Sequence, residues 1–182
     1  GGTQYTETLS PALTVSNATP SVTADSLAPA TIYEGDLMSL FGVVSDPGFD
    51  DGVQLTIDWG DSTTDVLQFN GSKPFEANHA YANEGSYTIT LDIEDDEGTT
   101  GTQVTTTATV VNANPTVDLN LGNDEIDETT TLLLTGDIID PGAGDTYDIS
   151  IDWGDGPTAT TIPGRDATFQ PTHQYRDDHP PS

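Results

Sequence analysis

Apolar and polar residues alternate with a period of two along much of the chain. Val53, Leu55, Ile57 and Trp59 alternate with Gln54, Thr56 and Asp58, and Tyr87, Ile89, Leu91 and Ile93 form a second such run. Val104, Thr106, Ala108 and Val110 form a weaker third. Successive side chains of a strand point to opposite faces, so this spacing predicts strands with one buried face. Leu37 to Val44 is apolar on both faces and sets no phase by itself. No segment carries a helical stripe long enough to predict a helix.

The pattern repeats. Asp46-Pro47-Gly48 returns as Asp140-Pro141-Gly142, Asp58-Trp59-Gly60-Asp61 as Asp152-Trp153-Gly154-Asp155, and His79-x-Tyr81 as His173-x-Tyr175, all at an offset of 94. Phe75, Glu34 and Gly42 find partners in Phe169, Glu128 and Gly136. Upstream, Asn17 and Pro20 match Asn112 and Pro115 at an offset of 95. A fixed offset across ordered landmarks marks internal repetition, and it resolves the ambiguous stretch. Met38, Leu40 and Val44 map to Leu132, Leu134 and Ile138, whereas Phe41 and Val43 map to Thr135 and Asp137, so the first set is expected to face the core. Tyr147, Ile149, Ile151 and Trp153 keep the same inward phase.

These spacings predict an all-β chain of tandem immunoglobulin-like β-sandwiches of about 95 residues each, built from short strands with turn signals between them. Residues 1–16 are expected to be the last strand of a preceding repeat, 17–111 a complete β-sandwich, and 112–182 a second, C-terminally incomplete copy. A parent polypeptide continuing in both directions is the accompanying expectation.

Composition narrows the function. With 3 basic and 31 acidic residues the net charge is −28, a surface that repels nucleic acid and anionic lipid headgroups. Such acidity often accompanies disorder, but 30 threonines, many beside Val, Ile or Leu, favour strands instead. Cysteine is absent, which excludes a disulfide scaffold, thiolate-bound zinc and thiol catalysis. No apolar run approaches the roughly 20 residues that cross a bilayer.

The ordered landmarks resemble those of the polycystic-kidney-disease domain, an immunoglobulin-like module of large bacterial and archaeal surface proteins. Ile57-Asp58-Trp59-Gly60-Asp61, His79-Ala80-Tyr81 and Gly85-Ser86-Tyr87-Thr88-Ile89-Thr90-Leu91, running to Asp95-Asp96-Glu97-Gly98, carry the likeness. Trp153-Gly154-Asp155-Gly156 and His173-Gln174-Tyr175 carry it again. The first copy departs at Ser62, where the family has Gly, and the second has no counterpart of the Tyr87 strand. The resemblance implies a sandwich fold with the Trp in the core. In members of the family that bind calcium, ligands come from the Asn-bearing linker, the turn before the Trp strand, and the acidic turn after the Tyr strand. Carried over, these positions are Asn17, Asp46, Asp51 and Asp95 in the first copy, and Asn112, Asp140 and Asp145 in the second.

Two readings of these acidic turns stay open. Hard oxygens converging from irregular turns suit Ca²⁺, which takes six to eight of them more tolerantly than Mg²⁺ does. Acidic turns can equally be solvated surface. Other chemistry is poorly supported. Trp59 and Trp153 stand in the inward phase, which favours core over carbohydrate stacking. His79 and His173 lack a second His at zinc-ligand spacing, and a ring bonded to backbone is the expectation. No Gly-x-Ser-x-Gly elbow or phosphate loop occurs, and Lys73 is the only lysine, which leaves no isopeptide in the second copy.

The expected function is therefore non-catalytic: a spacer or stalk segment of a cell-surface or secreted protein, stiffened by structural calcium at its junctions. Alternatives are a carbohydrate- or protein-binding accessory module of a secreted hydrolase, or part of a surface-layer lattice. An aromatic platform for binding would have to come from Tyr5, Tyr33, Phe49 or Phe69. The expected partners are neighbouring repeats of the same polypeptide, and surface proteins or glycans. Nucleic acid and membrane insertion are not expected, and the expected location is extracellular or at the cell surface.

Overall fold

A computed structural model describes residues 1–2, 13–48, 51–122, 125–156, 159–164 and 167–176. Tyr5, Phe49, Asp50 and most of the strand expected within 1–16 lie outside the described residues.

The described residues form strands and no helix. In chain order the strands are β1 (Ser21–Ala28), β2 (Thr31–Tyr33), β3 (Leu37–Ser45), β4 (Gly52–Asp58), β5 (Thr64–Asn70), β6 (Lys73–Ala80), β7 (Gly85–Asp95) and β8 (Val104–Val111). They continue as β9 (Thr116–Asn120), β10 (Thr131–Leu133), β11 (Thr135–Ile139), β12 (Tyr147–Ile151), β13 (Thr160–Gly164), β14 (Thr168–Phe169) and β15 (Thr172–Gln174). A three-stranded sheet has the order β1-β3-β6, and a five-stranded sheet the order β2-β8-β7-β4-β5. The later strands pair as β14-β11-β9, β10-β15 and β12-β13. This is an all-β fold consistent with an immunoglobulin-like β-sandwich.

The period-two reading matches the observed burial. Met38, Leu40 and Val44 of β3, Val53, Leu55 and Ile57 of β4, and Ile89, Leu91 and Ile93 of β7 are all buried. The antiparallel register sets Leu55 opposite Ile93 and Ile57 opposite Leu91, so apolar neighbours meet across the ladder, the unit of sheet stabilisation. Asp95 ends β7 in the inward phase and is buried, a carboxylate where the alternation calls for an apolar side chain. Tyr87 departs from expectation. It is only half-buried, its ring stacked on the buried Tyr81 at 4.1 Å while its hydroxyl donates to the Asn83 carbonyl at 2.8 Å. Leu132 is likewise half-buried rather than core, whereas Leu134 and Ile138 are buried.

By contact density the chain divides into two interleaved units. One comprises residues 1–26, 41–76 and 89–106; its core includes Val22, Val44, Val53, Leu55, Ile57, Trp59, Phe75, Leu91 and Ile93. Trp59 follows β4, 1% exposed, and its indole N–H donates to Asp65 at 3.0 Å. The other comprises residues 27–40, 77–88 and 107–182. Its buried residues include Ile32, Met38, Leu40, Tyr81 and Val110, together with a cluster of Leu134, Ile138 and Phe169 against which Ile149, Ile151 and Trp153 pack half-buried.

Candidate metal centres

Each Asp-Pro-Gly turn builds the same local device. Gly48 N–H donates to Asp46 Oδ1 at 2.7 Å, and Gly142 N–H donates to Asp140 Oδ1 at 2.8 Å. This is the Asx-turn, in which a short carboxylate caps the backbone two residues on. It fixes the carboxylate plane and commits one oxygen. The other oxygen, Oδ2 of Asp46 and of Asp140, is buried with no hydrogen-bond partner among the described residues. The glycines are needed for close approach: a Cβ at Gly48 would lie 1.7 Å from Asp51 Oδ2, and one at Gly142 would lie 2.9 Å from Asp145. The third residue after each Gly therefore folds its carboxylate over the turn.

The acidic end of β7 forms another cap. Asp95 Oδ1 accepts from Thr99 N–H at 2.7 Å and Glu97 N–H at 3.1 Å, and its Oδ2 accepts from the Asn17 amide at 2.7 Å. Burial pushes this carboxyl up, but the hydrogen bonds from Asn17, Thr99 and Glu97 outweigh it and hold it below the ordinary Asp value. Beyond the cap, Asp51, Asp96 and Glu97 each place an oxygen within 4.8 Å of the others. A hydrogen bond with Asp96, then burial and the charges of Asp96, Asp51 and Asp95, push Glu97 up.

The second cluster is in the other unit. Glu34 follows β2 and is 1% exposed. Its backbone N–H donates to the Val111 carbonyl at 3.1 Å, and its Oε1 accepts from Ala113 N–H at 2.9 Å. Its Oε2 is buried without a partner. One oxygen each from Glu34, Glu84 and Asp145 lies within 4.8 Å of the others. Burial, then the charges of Glu34, Asp140 and Glu84, push the Asp145 carboxyl up. Burial and the neighbouring Asp140 raise the Tyr147 hydroxyl as well.

Of the positions expected as ligands, the fold joins Asn17 to Asp95 and sets Asp51 beside the acidic turn that Asp95 opens. Asp145 joins the second cluster, and the charge of Asp140 acts on it. Asn112 is exposed, and its neighbour Ala113, not its own side chain, bonds Glu34. Glu34 and Glu84 were absent from the expected set. The recurrence of Glu34 as Glu128 was the available sequence signal; Glu84 gave none.

The remaining candidates have structural roles. His173 differs from expectation: its Nε2 meets the Asp155 carboxylate at 2.8 Å rather than backbone, and its ring stacks on Trp153 at 4.6 Å. A side chain can reach it because the Trp-Gly-Asp turn brings Asp155 alongside. His–carboxylate pairs orient catalytic bases, yet no Ser, Thr or Lys among the described residues bonds this ring. Asp61 caps its own turn through Thr63 N–H at 3.0 Å. The described residues thus hold no catalytic constellation, and no helix is long and apolar enough to cross a membrane. Tyr33 is exposed, whereas Phe69 is half-buried and lies 6.5 Å from the Phe75 ring.

The family profile described as "PKD domain" matches residues 17–110. No curated protein matches the chain significantly. Among solved structures, the chain is similar to the PKD domain of an M14-like peptidase from Thermoplasmatales archaeon SCGC AB-540-F20. That likeness has 21% identity and a TM-score of 0.45, covering 52% of this chain and 98% of the other.

Proposed function

The chain belongs to the PKD-domain family, and from that premise we propose that it is a non-catalytic spacer segment of tandem β-sandwiches in an extracellular or cell-surface protein. Its repeats run from 17–111 and 112–182, and calcium holds its acidic turns. The ligands are Asn17, Asp46, Asp51 and Asp95 in the first repeat, with Asn112, Asp140 and Asp145 in the second. The partners in this role are the neighbouring repeats.

The observation that carries the reading is the pair of buried, unpartnered oxygens, Asp46 Oδ2 and Asp140 Oδ2, at equivalent places in a repeated turn. An unsatisfied buried carboxylate oxygen is costly, and its partner has to be a proton, a water or a cation. Two carboxylates 4 Å apart repel by about 4 kcal/mol at an effective dielectric near 20. A divalent ion turns that repulsion into attraction, and turn-borne carboxylate and carbonyl oxygens match the donor set of Ca²⁺.

The test is thermal unfolding of the chelator-stripped chain. An ion bound only by the folded state stabilises it by RT ln(1 + [L]/Kd), about 2.7 kcal/mol at a hundredfold excess over Kd. Millimolar CaCl₂ is expected to raise the melting temperature beyond NaCl of equal ionic strength, and EDTA to reverse the rise. Equal shifts in both salts would reduce the acids to screened surface charge. Scattering at two calcium levels adds the mechanical readout, a narrower spread of molecular dimensions with the ion present.

A further inference from the structure

Glu34 is the group the repeat and the Asp-Pro-Gly turns leave unexplained. Few glutamates are 1% exposed, and buried ones are normally paired. Glu34 is pinned at both ends. Its backbone is tied through Val111 and, one residue on, by Gly35 N–H donating to the Tyr81 carbonyl at 2.8 Å. Gly35 itself has φ +79°, a left-handed conformation that permits the turn after β2. Ala113 N–H fixes Oε1, and Oε2 is buried with no hydrogen-bond partner, on a side chain that lies within the cluster. No Lys, Arg or His among the described residues is within ion-pair distance of Glu34, Glu84, Asp140 or Asp145.

We infer that Glu34, Glu84, Asp140 and Asp145 together bind one divalent cation of the calcium type, with ligands drawn from three segments of the chain far apart in sequence. This rests on the reading that the acidic turns take calcium, and it adds to that reading the two glutamates and the source of the ligands.

The donor count fits. Four carboxylates offer eight oxygens; Ala113 N–H occupies one of Glu34 and Gly142 N–H one of Asp140, leaving six. Calcium takes six to eight at about 2.3–2.6 Å, so ligands on opposite sides of the ion stand nearly 5 Å apart. One oxygen each of Glu34, Glu84 and Asp145 lies within 4.8 Å of the others, close enough for all three to reach one such ion. Gly142 leaves room for the approach, since a Cβ there would come within 2.9 Å of Glu34 Oε1 and of Asp145. Glu84 is the exposed member. The consequence is a clamp. Glu34 and Glu84 come from residues 17–111, while Asp140 and Asp145 come from residues 112–182, so the ion ties the turn after β2 to the turn before β12.

The competing occupant is a proton shared within the cluster, and the two make opposite predictions. Calorimetric titration of CaCl₂ into the chelator-stripped full chain is expected to lose one binding event, or weaken it at least tenfold, in Glu34→Gln, Glu84→Gln and Asp145→Asn. Asp25→Asn, at an exposed position of β1, should leave the isotherm unchanged. Hydrogen exchange gives an independent readout: calcium should slow the amide of Ala113, which bonds Glu34, and that of Ala143, which donates to the Ala82 carbonyl at 2.9 Å, in the wild type and not in Glu34→Gln. Should Glu34→Gln fail to fold by circular dichroism, the exposed Glu84→Gln carries the test. Unchanged isotherms in Glu34→Gln and Glu84→Gln would overturn the inference, as would a Glu34→Gln chain that is more stable than wild type without calcium and still binds it equally. If Asp46→Asn or Asp95→Asn alone removes the heat, calcium binding stands and this site falls. If the wild type gives no saturable heat, both fall.

Discussion

Trp59 and Trp153 occupy the same place in the repeat and differ in burial, so the same substitution should have two different costs. Trp59 is 1% exposed. A tryptophan side chain buries up to about 250 Å², which at ~25 cal/mol per Å² gives an upper figure near 6 kcal/mol. Residual burial in the unfolded chain removes roughly 10–40% of that, leaving about 4–5 kcal/mol for Trp59→Ala, in the range of measured large-to-small core changes. The lost indole bond to Asp65 adds little, because Asp65 is only half-buried and water can replace the donor. Trp153 is half-buried, its indole donating to Thr160 at 2.9 Å and its face covered by His173. Among the described residues its strand β12 pairs with β13 alone, whereas β4 lies between β5 and β7. Half the burial should cost about half as much, roughly 2 kcal/mol. Urea unfolding followed by far-ultraviolet circular dichroism avoids reliance on the deleted fluorophore. With a slope near 2 kcal/mol per molar, Trp59→Ala should lower its midpoint by about 2 M. A shift below about 1 kcal/mol for Trp59→Ala, or an equal or larger one for Trp153→Ala, would refute the burial argument and reopen Trp59 as an exposed ligand-stacking side chain.

Two further substitutions test backbone positions. Gly42→Ala would set a Cβ 2.0 Å from the Thr23 carbonyl and 2.6 Å from the Phe75 ring, forcing β1 and β3 apart; we expect a loss of about 1–3 kcal/mol by the same urea assay, and a neutral result would mean the strands separate freely. Ser62 holds φ +75° in the turn after Trp59, a conformation that costs a residue with a Cβ roughly 1–2 kcal/mol. Ser62→Gly relieves it and makes the unfolded chain more flexible, so the expected net gain is about 0.5–1 kcal/mol, read as a raised urea midpoint.

The sequence by itself determined what depends on neighbours in the chain. A strand buries every second residue because the pleat alternates its side chains, so Val53, Leu55, Ile57 and Trp59 could be placed in the core from spacing alone. The Asx-turns at Asp46 and Asp140 need only a carboxylate two residues before a glycine N–H. Comparing the copies settled the phase of β3. Tertiary structure alone decided the burial of Glu34, the meeting of Glu34 and Glu84 with Asp145, and the pairing of His173 with Asp155. It also separated Trp59 from its half-buried counterpart. Those outcomes depend on the path of the chain between residues far apart in sequence. An exposed Glu84 and a buried Glu34 look alike in a chain with 31 acidic residues, because nothing in their immediate neighbours encodes which carboxylates the fold will force together.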